Sequence, residues 1–290
     1  MKLRWKHFLV LVAASRVPLL AVTWVTQNAS RRLRETISER AQNTLTETTS
    51  QEMVRATRNY SDLINMGRLA SEQVLRRLAA RAELALTLPP PPDIKIYYAA
   101  DFDDPRSAPK DMAPSENHPI RTNGGVVSYK QISRQHPNFL LAPGTRKADE
   151  ALDIARFTRL SSTLKSISHQ YQEGIYWIYA SLENGVHISY PGHGGYPAGY
   201  DPRQRPWYKM AIKSNTVNWL PVVDATTRQL TLTVSMPFRR PDGSLAGVAG
   251  MDLKIKYALA ESETAARWSQ KMSSIVVCVE KNSRSKKQKI

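Results

Sequence analysis

The chain of 290 residues has room for one large domain or two small ones, and 41% hydrophobic with 23% charged residues is the composition of a globular protein. Forty-one Lys and Arg against 25 Asp and Glu leave a formal charge of +16, but the excess lies in the first 90 residues and in the tail at 281–289. This distribution argues against a nucleic-acid partner. The one cysteine, Cys278, excludes an intrachain disulfide, and its apolar neighbours favour a buried side chain over a reactive one.

Residues 1–28 are predicted to be a membrane anchor. A positive leader at residues 2–7 precedes an apolar run at 8–25, which Arg16 and Pro18 interrupt. The run is near the lower limit for spanning a bilayer, and no small-residue cleavage site follows it. An uncleaved signal anchor is therefore favoured over a cleaved signal peptide or a buried helix. The positive-inside rule keeps the leader in the cytoplasm, so everything after about residue 28 is expected in the periplasm of an inner (cell) membrane protein.

Residues 29–88 are predicted to form one long stalk helix. Apolar residues recur at helical spacing from Leu33 and Ile37 onwards, Arg and Glu occupy the other faces, and no proline occurs before the run at 89–92, which ends the helix. The apolar stripe could pair with a second protomer, giving a homodimer, or lie against the chain's own domain. The sequence leaves both alternatives open.

The segment that follows carries weak patterns. Residues 94–98 are a short strand candidate, and the acidic run 101–104 lacks the glycine and terminal glutamate of an EF-hand, which argues against calcium binding. Pro, Asn and Gly then indicate a long loop region, before an apolar stripe predicts a helix over 148–165.

Residues 174–253 have the pattern of antiparallel strands. Hairpin turns are indicated at Asn184-Gly185 and at Asp242-Gly243, and residues 230–236 alternate with the period of two of a half-buried strand. A helix over 255–272, a strand over 274–279 and a basic tail complete the pattern. Strands in meander order with helices before and between them predict an α+β class.

No catalytic or metal-binding motif occurs in the sequence. It contains no Gly-x-Ser-x-Gly elbow, no His-Glu-x-x-His, no cysteine pair and no P-loop, so we expect neither an enzyme nor a bound metal or cofactor. His187 and His193 are the closest pair of histidines, but their spacing does not match a metal site, and they are expected to be exposed or in loops.

The stretch at 200–208 offers binding chemistry instead. Arg205 has a planar fork of donors suited to a carboxylate, and Pro206 can begin a helix whose free N–H groups face an anion. Trp207 and Tyr208 add apolar walls with polar tips, and Tyr200 is a further candidate at the start of the stretch.

Two carboxylates could hold the opposite end of such a ligand. Asp224 follows a short apolar run, Asp252 ends the last strand, and either could bind an ammonium group. Together with Arg205 they would form a site for a zwitterion. The alternative is structural: Arg205 would pair with Asp224 or Asp201, and the aromatic residues would belong to the core.

The order of these motifs resembles the double-Cache family. The stretch at 200–208 is followed by 219–224, by a Thr-rich strand, by the Asp-Gly turn and by 247–252, and the similarity extends from about 175 to 253. The family comprises periplasmic sensor domains of chemoreceptors, histidine kinases, diguanylate cyclases and phosphatases. The resemblance implies a long amino-terminal helix leading into PAS-like modules, each an antiparallel sheet flanked by helices, of which the membrane-distal one binds the ligand.

On this resemblance, residues 89–258 are the membrane-distal sensor module. Residues 259–290 would be the start of an incomplete second module and a basic tail, with the output domain missing from a truncated product. The implied function is the extracytoplasmic sensing of a small carboxylate or amino-acid-like ligand by a transmembrane receptor. The alternative is a scaffold or dimerisation module that binds no ligand.

One subgroup of the family binds amino acids, and the resemblance assigns its residues here. Its arginine, tryptophan and tyrosine for the carboxylate correspond to Arg205, Trp207 and Tyr208. Its two aspartates for the amine correspond to Asp224 and Asp252. The tyrosine expected two residues before Asp224 is replaced by Val222, for which Tyr200 could partly compensate.

Overall fold

The computed structural model describes residues 2–92, 95–122 and 125–258. Its contacts divide the chain into two compact units, one up to Asp62 and one from Leu63 onwards. The long amino-terminal helix is confirmed: α1 runs from Lys2 to Thr87. In the first unit it exposes large apolar side chains, including Leu33 and Ile37 at 62% and 57%. No helix in the described part of the chain is long and apolar enough to cross a membrane.

The second unit contains all the strands. After α1 and a 3-10 turn at Ala99–Asp103 come β1 (Ala113–Thr122), β2 (Gly125–Ile132), β3 (Asn138–Leu141), α2 (Ala151–Phe157), α3 (Leu160–Gln170), β4 (Ile175–Leu182) and β5 (Val186–Tyr190). A second 3-10 turn at Pro202–Gln204 leads into α4 (Pro206–Ser214), β6 (Asn218–Val223), β7 (Leu230–Arg239), β8 (Leu245–Lys254) and α5 (Ile255–Ala258).

Six of the strands form one antiparallel sheet in the order β3-β5-β4-β8-β7-β6, while β1 and β2 form a separate hairpin. Both predicted hairpins are present, with Gly185 and Gly243 at φ +95° and +83° in their turns. Because β4 and β8 are central, their inward side chains lie at the middle of the sheet. The α+β class and the PAS-like sheet flanked by helices are confirmed.

The two faces of the sheet bury different residues. One face packs on α1 and α3, with Leu75, Leu78 and Leu164 fully buried in the same cluster as Ile178 of β4. The other face carries Trp177, which packs in a second cluster with residues of α4. The period of two along β4 separates these faces. From Val74 to Leu86, the apolar stripe of α1 therefore lies against the chain's own domain.

The segment before α2 is more regular than expected. Residues predicted as a loop form the β1–β2 hairpin and β3, whereas the candidate strand at 94–98 contributes a single bridge from Tyr98 to Phe139 among its described residues. The hairpin was missed because prolines and two register shifts interrupt its alternation. The helix expected over 148–165 is two helices, α2 and α3. Most of the helix expected over 255–272, the strand at 274–279 and Cys278 lie outside the described residues.

Candidate functional site

The two arginines of the stretch at 200–208 make different contacts in the turn before α4. Asp201 accepts a hydrogen bond from the backbone N–H of Arg203 (2.9 Å) and forms an ion pair with its guanidinium (2.9 Å). Pro206 is the first residue of α4, as the sequence predicted. Arg203 therefore stabilises the turn through Asp201, and Arg205 is available for another interaction.

Among the residues that the structure describes, Arg205 has no carboxylate partner. Its Nη2 donates a hydrogen bond of 3.3 Å to the carbonyl of Val223, and its guanidinium lies 5.7 Å from the ring centre of Tyr200. Within the described residues it forms no ion pair, with either Asp201 or Asp224. The structure therefore does not show the ion pair that the structural alternative requires.

Asp224 uses one of its two carboxylate oxygens for structure. Its Oδ2 accepts four hydrogen bonds, from the backbone N–H and the hydroxyl of Thr226 (3.1 and 2.8 Å) and of Thr227 (2.7 and 2.6 Å). Its Oδ1 accepts none from the residues that the structure describes. The four hydrogen bonds therefore hold the carboxylate in one orientation and leave its other oxygen free. Asp224 is only 9% exposed, so this carboxylate is largely buried.

Asp252, like Asp224, uses one of its two carboxylate oxygens for hydrogen bonds within the protein. Its Oδ1 accepts hydrogen bonds from the hydroxyls of Tyr179 (3.0 Å) and Thr233 (2.6 Å), and its Oδ2 accepts none among the described residues. Burial, followed by the nearby charge of Asp224, raises the pKa of Asp252 to about 7. The nearby charge of Arg205 acts in the opposite direction, and at this pKa Asp252 is ionised in only part of the molecules at neutral pH.

One narrow cavity brings most of the predicted residues together. Tyr200, Arg205, Trp207, Asp224 and Asp252 all line it. Trp207 is 3% exposed and its ring lies 4.9 Å from that of Tyr179, which also lines the cavity. A cation and two carboxylates therefore line one cavity with aromatic walls.

Tyr208 and Val222 complete the predicted set. Tyr208 is not among the lining residues: it is buried beside Val248, its hydroxyl has no hydrogen-bond partner in the described part of the chain, and burial raises its pKa to about 12. Val222 does line the cavity, at the position where the resemblance expects a tyrosine. The wall is apolar and small at that point.

The strand β7 turns its polar side chains inward. Thr231, Thr233 and Ser235 are each at most 1% exposed, whereas Leu230 is 55% exposed. The hydroxyl of Ser235 donates to the carbonyl of Trp207 (3.0 Å), and that of Thr233 donates to Asp252. The predicted alternation is present, and its hydroxyl face positions the cavity residues.

Residues of β4, β5 and the loop after β5 also line the cavity, although they were not predicted as site residues. They supply Trp177, Tyr179, His187, Ser189, His193 and Tyr196 to the cavity lining. The expectation that the histidines are exposed or in loops was wrong for His187, which is 3% exposed on β5, whereas His193 lies in the loop after β5 and is 2% exposed. The usable signal was the period of two, which places His187 and Ser189 on one face of β5. Within the described residues, no cluster of three or more His, Cys, Asp or Glu could hold a metal ion.

The histidines are held neutral by their surroundings. Burial lowers the pKa of His187 to about 3 and that of His193 well below its usual range. The Nδ1 of His187 lies 2.7 Å from the hydroxyl of Ser181, and the Nδ1 of His193 lies 3.0 Å from the carbonyl of Pro191. They add polar but uncharged surface to the cavity.

Comparisons with known proteins find similarity in the part of the chain that contains this cavity. Residues 155–258 match the family model described as methyl-accepting chemotaxis protein-like, first PDC sensor domain. The chain is 36% identical to the methyl-accepting chemotaxis protein McpB of Bacillus subtilis over 91 residues, which are 31% of this chain and 13% of McpB. It is 36% identical to PscA of Pseudomonas syringae over 86 residues, 29% of this chain and 13% of PscA. The chain thus spans about an eighth of the length of these relatives.

Solved structures of similar chains include the ligand-binding domain of the Pseudomonas aeruginosa amino acid chemoreceptor PctC in complex with GABA. It is 30% identical, with 35% of this chain and 46% of that chain covered and a TM-score of 0.31. The ligand-binding domain of the Pseudomonas fluorescens chemoreceptor CtaA in complex with L-valine is 29% identical, with 34% and 44% covered and a TM-score of 0.31.

The family match encloses the whole cavity. All its lining residues, from Trp177 to Asp252, lie between residues 155 and 258. The sequence similarity and the cavity therefore describe the same part of the chain. Residues 155–258, which contain the cavity, are therefore similar to the first PDC sensor domain of methyl-accepting chemotaxis proteins.

Proposed function

We propose that this module binds a small ligand that carries a carboxylate and an ammonium group, and that it is the extracytoplasmic sensor of a transmembrane receptor. The observation that carries the proposal is the cavity that Arg205, which has no ion pair among the described residues, shares with two buried carboxylates. Charges that are buried without partners are costly unless a ligand completes them. Arg205 forms no ion pair within the described residues, and Asp224 and Asp252 each keep one carboxylate oxygen without a hydrogen bond there, so a zwitterionic ligand would pair with groups of both signs.

The ligand's carboxylate would be bound by Arg205 and by the indole N–H of Trp207. Within the described residues, that N–H makes no hydrogen bond and Arg205 makes no ion pair. A guanidinium can bind a carboxylate through two parallel hydrogen bonds, which fixes the orientation of the ligand. Tyr200 lies against the guanidinium and restricts its movement.

The ligand's ammonium group would be bound by the free oxygens, Oδ1 of Asp224 and Oδ2 of Asp252. The hydroxyls on their other oxygens fix both carboxylates before the ligand arrives, which reduces the entropy lost on binding. Val222 leaves this end without the tyrosine ring of the amino-acid-binding subgroup. The two carboxylates would therefore carry the recognition of the amine.

Chemotaxis proteins among the relatives support the receptor context. In that context residues 1–28 are the membrane anchor, residues 29–88 a stalk, and the module after about residue 28 lies in the periplasm. Ligand binding would favour one conformation of the sheet and so change the position of the long helix.

The test is calorimetry on the full chain with a panel of L-amino acids and small organic acids. Binding of at least one amino acid is expected, and Arg205→Gln should weaken it about 10- to 100-fold because a charge-assisted hydrogen bond is lost. Arg203→Gln is the matched control: its partner is Asp201, so affinity should change less than about threefold. If no small carboxylate binds to the wild-type chain, or if both variants lose affinity equally, the proposed site is wrong.

A second candidate function is a scaffold that dimerises through the long helix. It is favoured by the exposed apolar side chains of the first unit, which include Leu33, Ile37 and Leu45. Sedimentation of the chain with all three changed to Gln would then show monomers where the wild type shows dimers. Unchanged mass at matched concentration would exclude these residues as the contact.

A further inference from the structure

The cavity has a second polar end beyond the charged groups. In the sheet order β5-β4-β8-β7-β6, the carboxylate of Asp252 on β8 lies between Asp224, just after β6, and the histidines of β5 and its following loop. Trp177 of β4 is directly paired with Asp252 of β8. Side chains at paired positions lie on the same face about 5 Å apart, so this end begins beside Asp252.

Three rings are stacked at this end. The ring of His193 lies 4.0 Å from that of Trp177 at an interplanar angle of 22°, and the ring of Tyr196 lies 4.9 Å from His193 at 24°. The stack fixes the positions of the ring nitrogens. Any ligand group that enters meets them in a defined geometry.

His193 presents a hydrogen-bond acceptor. Its Nδ1 lies 3.0 Å from the carbonyl of Pro191, and since a carbonyl can only accept, Nδ1 carries the hydrogen and donates it. The neutral ring then has a lone pair on Nε2, which makes no hydrogen bond within the described part of the chain. His193 lines the cavity, so a donor from a ligand would satisfy this nitrogen.

Trp177 holds an unused donor. Its Nε1 is buried and has no hydrogen-bond partner in residues 2–92, 95–122 and 125–258, although the residue lines the cavity. Unpaired buried donors are rare in folded proteins, because the group has lost water without gaining another acceptor. A ligand oxygen placed in this end of the cavity would supply the acceptor.

We infer that this polar end selects the side chain of the ligand, and that it takes an uncharged group that both accepts and donates hydrogen bonds, such as a carboxamide or a hydroxyl. The inference rests on the proposed function, which places the ligand's charged groups at Arg205, Asp224 and Asp252. The ligand class is then a neutral polar amino acid. Trp177 and His193 are its specificity-determining residues.

Other side chains fit this end less well. An anionic group has no donor for Nε2 of His193 and adds negative charge beside Asp252. A cationic group has no acceptor for Nε1 of Trp177. An apolar group leaves both nitrogens unpaired, and a site built for hydrogen bonds discriminates strongly against a ligand that lacks them.

The test compares ligands of nearly equal shape by calorimetry on the full chain. L-Glutamine is paired with L-methionine and L-glutamate, and L-asparagine with L-leucine and L-aspartate. In the wild type, one carboxamide ligand should bind at least about tenfold more tightly than its apolar and acidic counterparts. Trp177→Phe and His193→Phe keep an aromatic ring in the stack and remove one polar atom each. Each should reduce that preference to about threefold or less, because the carboxamide ligand loses a hydrogen bond that the apolar ligand never makes.

Indole N–H signals in NMR give a second readout. The chain has six tryptophans, and the signal that is absent from Trp177→Phe identifies Trp177. It should move downfield with the carboxamide ligand and stay in place with the apolar one. If Trp177→Phe does not fold, the comparison of ligands on the wild type decides.

The outcomes separate the two proposals. A wild-type chain that binds no amino acid overturns both the proposed function and this inference. If it binds the apolar ligand as tightly as the carboxamide, or if Trp177→Phe keeps the preference, only the selectivity inference is overturned.

Discussion

Replacing Asp252 by Asn removes the charge of a buried carboxylate and keeps most of its contacts. Asp252 is 6% exposed, and its Oδ1 accepts hydrogen bonds from Tyr179 and Thr233. The amide oxygen of Asn can accept the same two bonds. We therefore expect Asp252→Asn to fold and, without ligand, to be more stable than the wild type at neutral to alkaline pH.

The size of this effect follows from the pKa. In the folded chain the pKa of Asp252 is raised from 3.8 to about 7, mainly by burial. A raised folded-state pKa gives a contribution to stability that is fully present below the unfolded pKa and is lost as the pH rises through the folded pKa. About three pKa units correspond to a loss of about 4 kcal/mol between pH 4 and pH 7. Between about pH 5 and pH 8, the advantage of Asn over Asp should grow by about 3 kcal/mol.

The assay is urea denaturation of the ligand-free chain, followed by tryptophan fluorescence, at about pH 5 and pH 8. Asp242→Asn is the matched control, because Asp242 is exposed in the β7–β8 turn and its hydrogen bonds to Ser244 lower its pKa. Its effect on the free energy of unfolding should be the same at both pH values, since both lie above that pKa. A difference between wild type and Asp252→Asn that does not change with pH would refute the account of Asp252.

Three further results are expected. Because an ammonium group favours the ionised form of Asp252, the calorimetric affinity for an amino acid should rise about tenfold from about pH 6 to pH 8 in the wild type and stay flat in Asp252→Asn. Thr227→Val should lower the free energy of unfolding in urea by about 2 kcal/mol, since Thr227 is fully buried and its hydroxyl donates to Asp224. Thr226→Val, at a partly exposed position, should lower it by less than about 1 kcal/mol, and equal losses would contradict this account. Val222→Tyr should tighten amino-acid binding about fivefold by adding a ring beside the ammonium group, and weaker binding would show that the wall must stay small.

Much of the sheet could be predicted because its strands are locally regular. The turns at Asn184-Gly185 and Asp242-Gly243 need a residue at positive φ, and both glycines have it. The β1–β2 hairpin could not be predicted in this way, because Pro114 and Pro119 interrupt its alternation and its register shifts twice. The four residues of β3 are too few to show a period, and only pairing with β5 makes them a strand.

The residues of the candidate site could also be predicted only in part. Arg205, Asp224 and Asp252 could be predicted as candidates, because a charged side chain beside an apolar strand requires a partner or a ligand. Tyr208 was expected beside Trp207 in the site, but successive residues on a helix point about 100° apart, so adjacent side chains on α4 face different surroundings. The inward position of His187 depends on β5 being covered by other elements. That is tertiary information, which spacing between histidines does not contain.

The position of the unsatisfied groups explains how a ligand could act on the whole module. Trp177 and Asp252 are paired on β4 and β8, the two central strands, and the opposite face of β4 is packed on the main core. The middle of the sheet therefore contains a donor that has no partner among the described residues and a carboxylate whose ionised form is destabilised by burial. A ligand that pairs both groups stabilises the sheet itself rather than a loop, by about 2.7 kcal/mol when its concentration is a hundred times Kd. Because that gain is confined to the liganded state, binding shifts the population of any sheet conformation that brings these two strands into contact with the ligand.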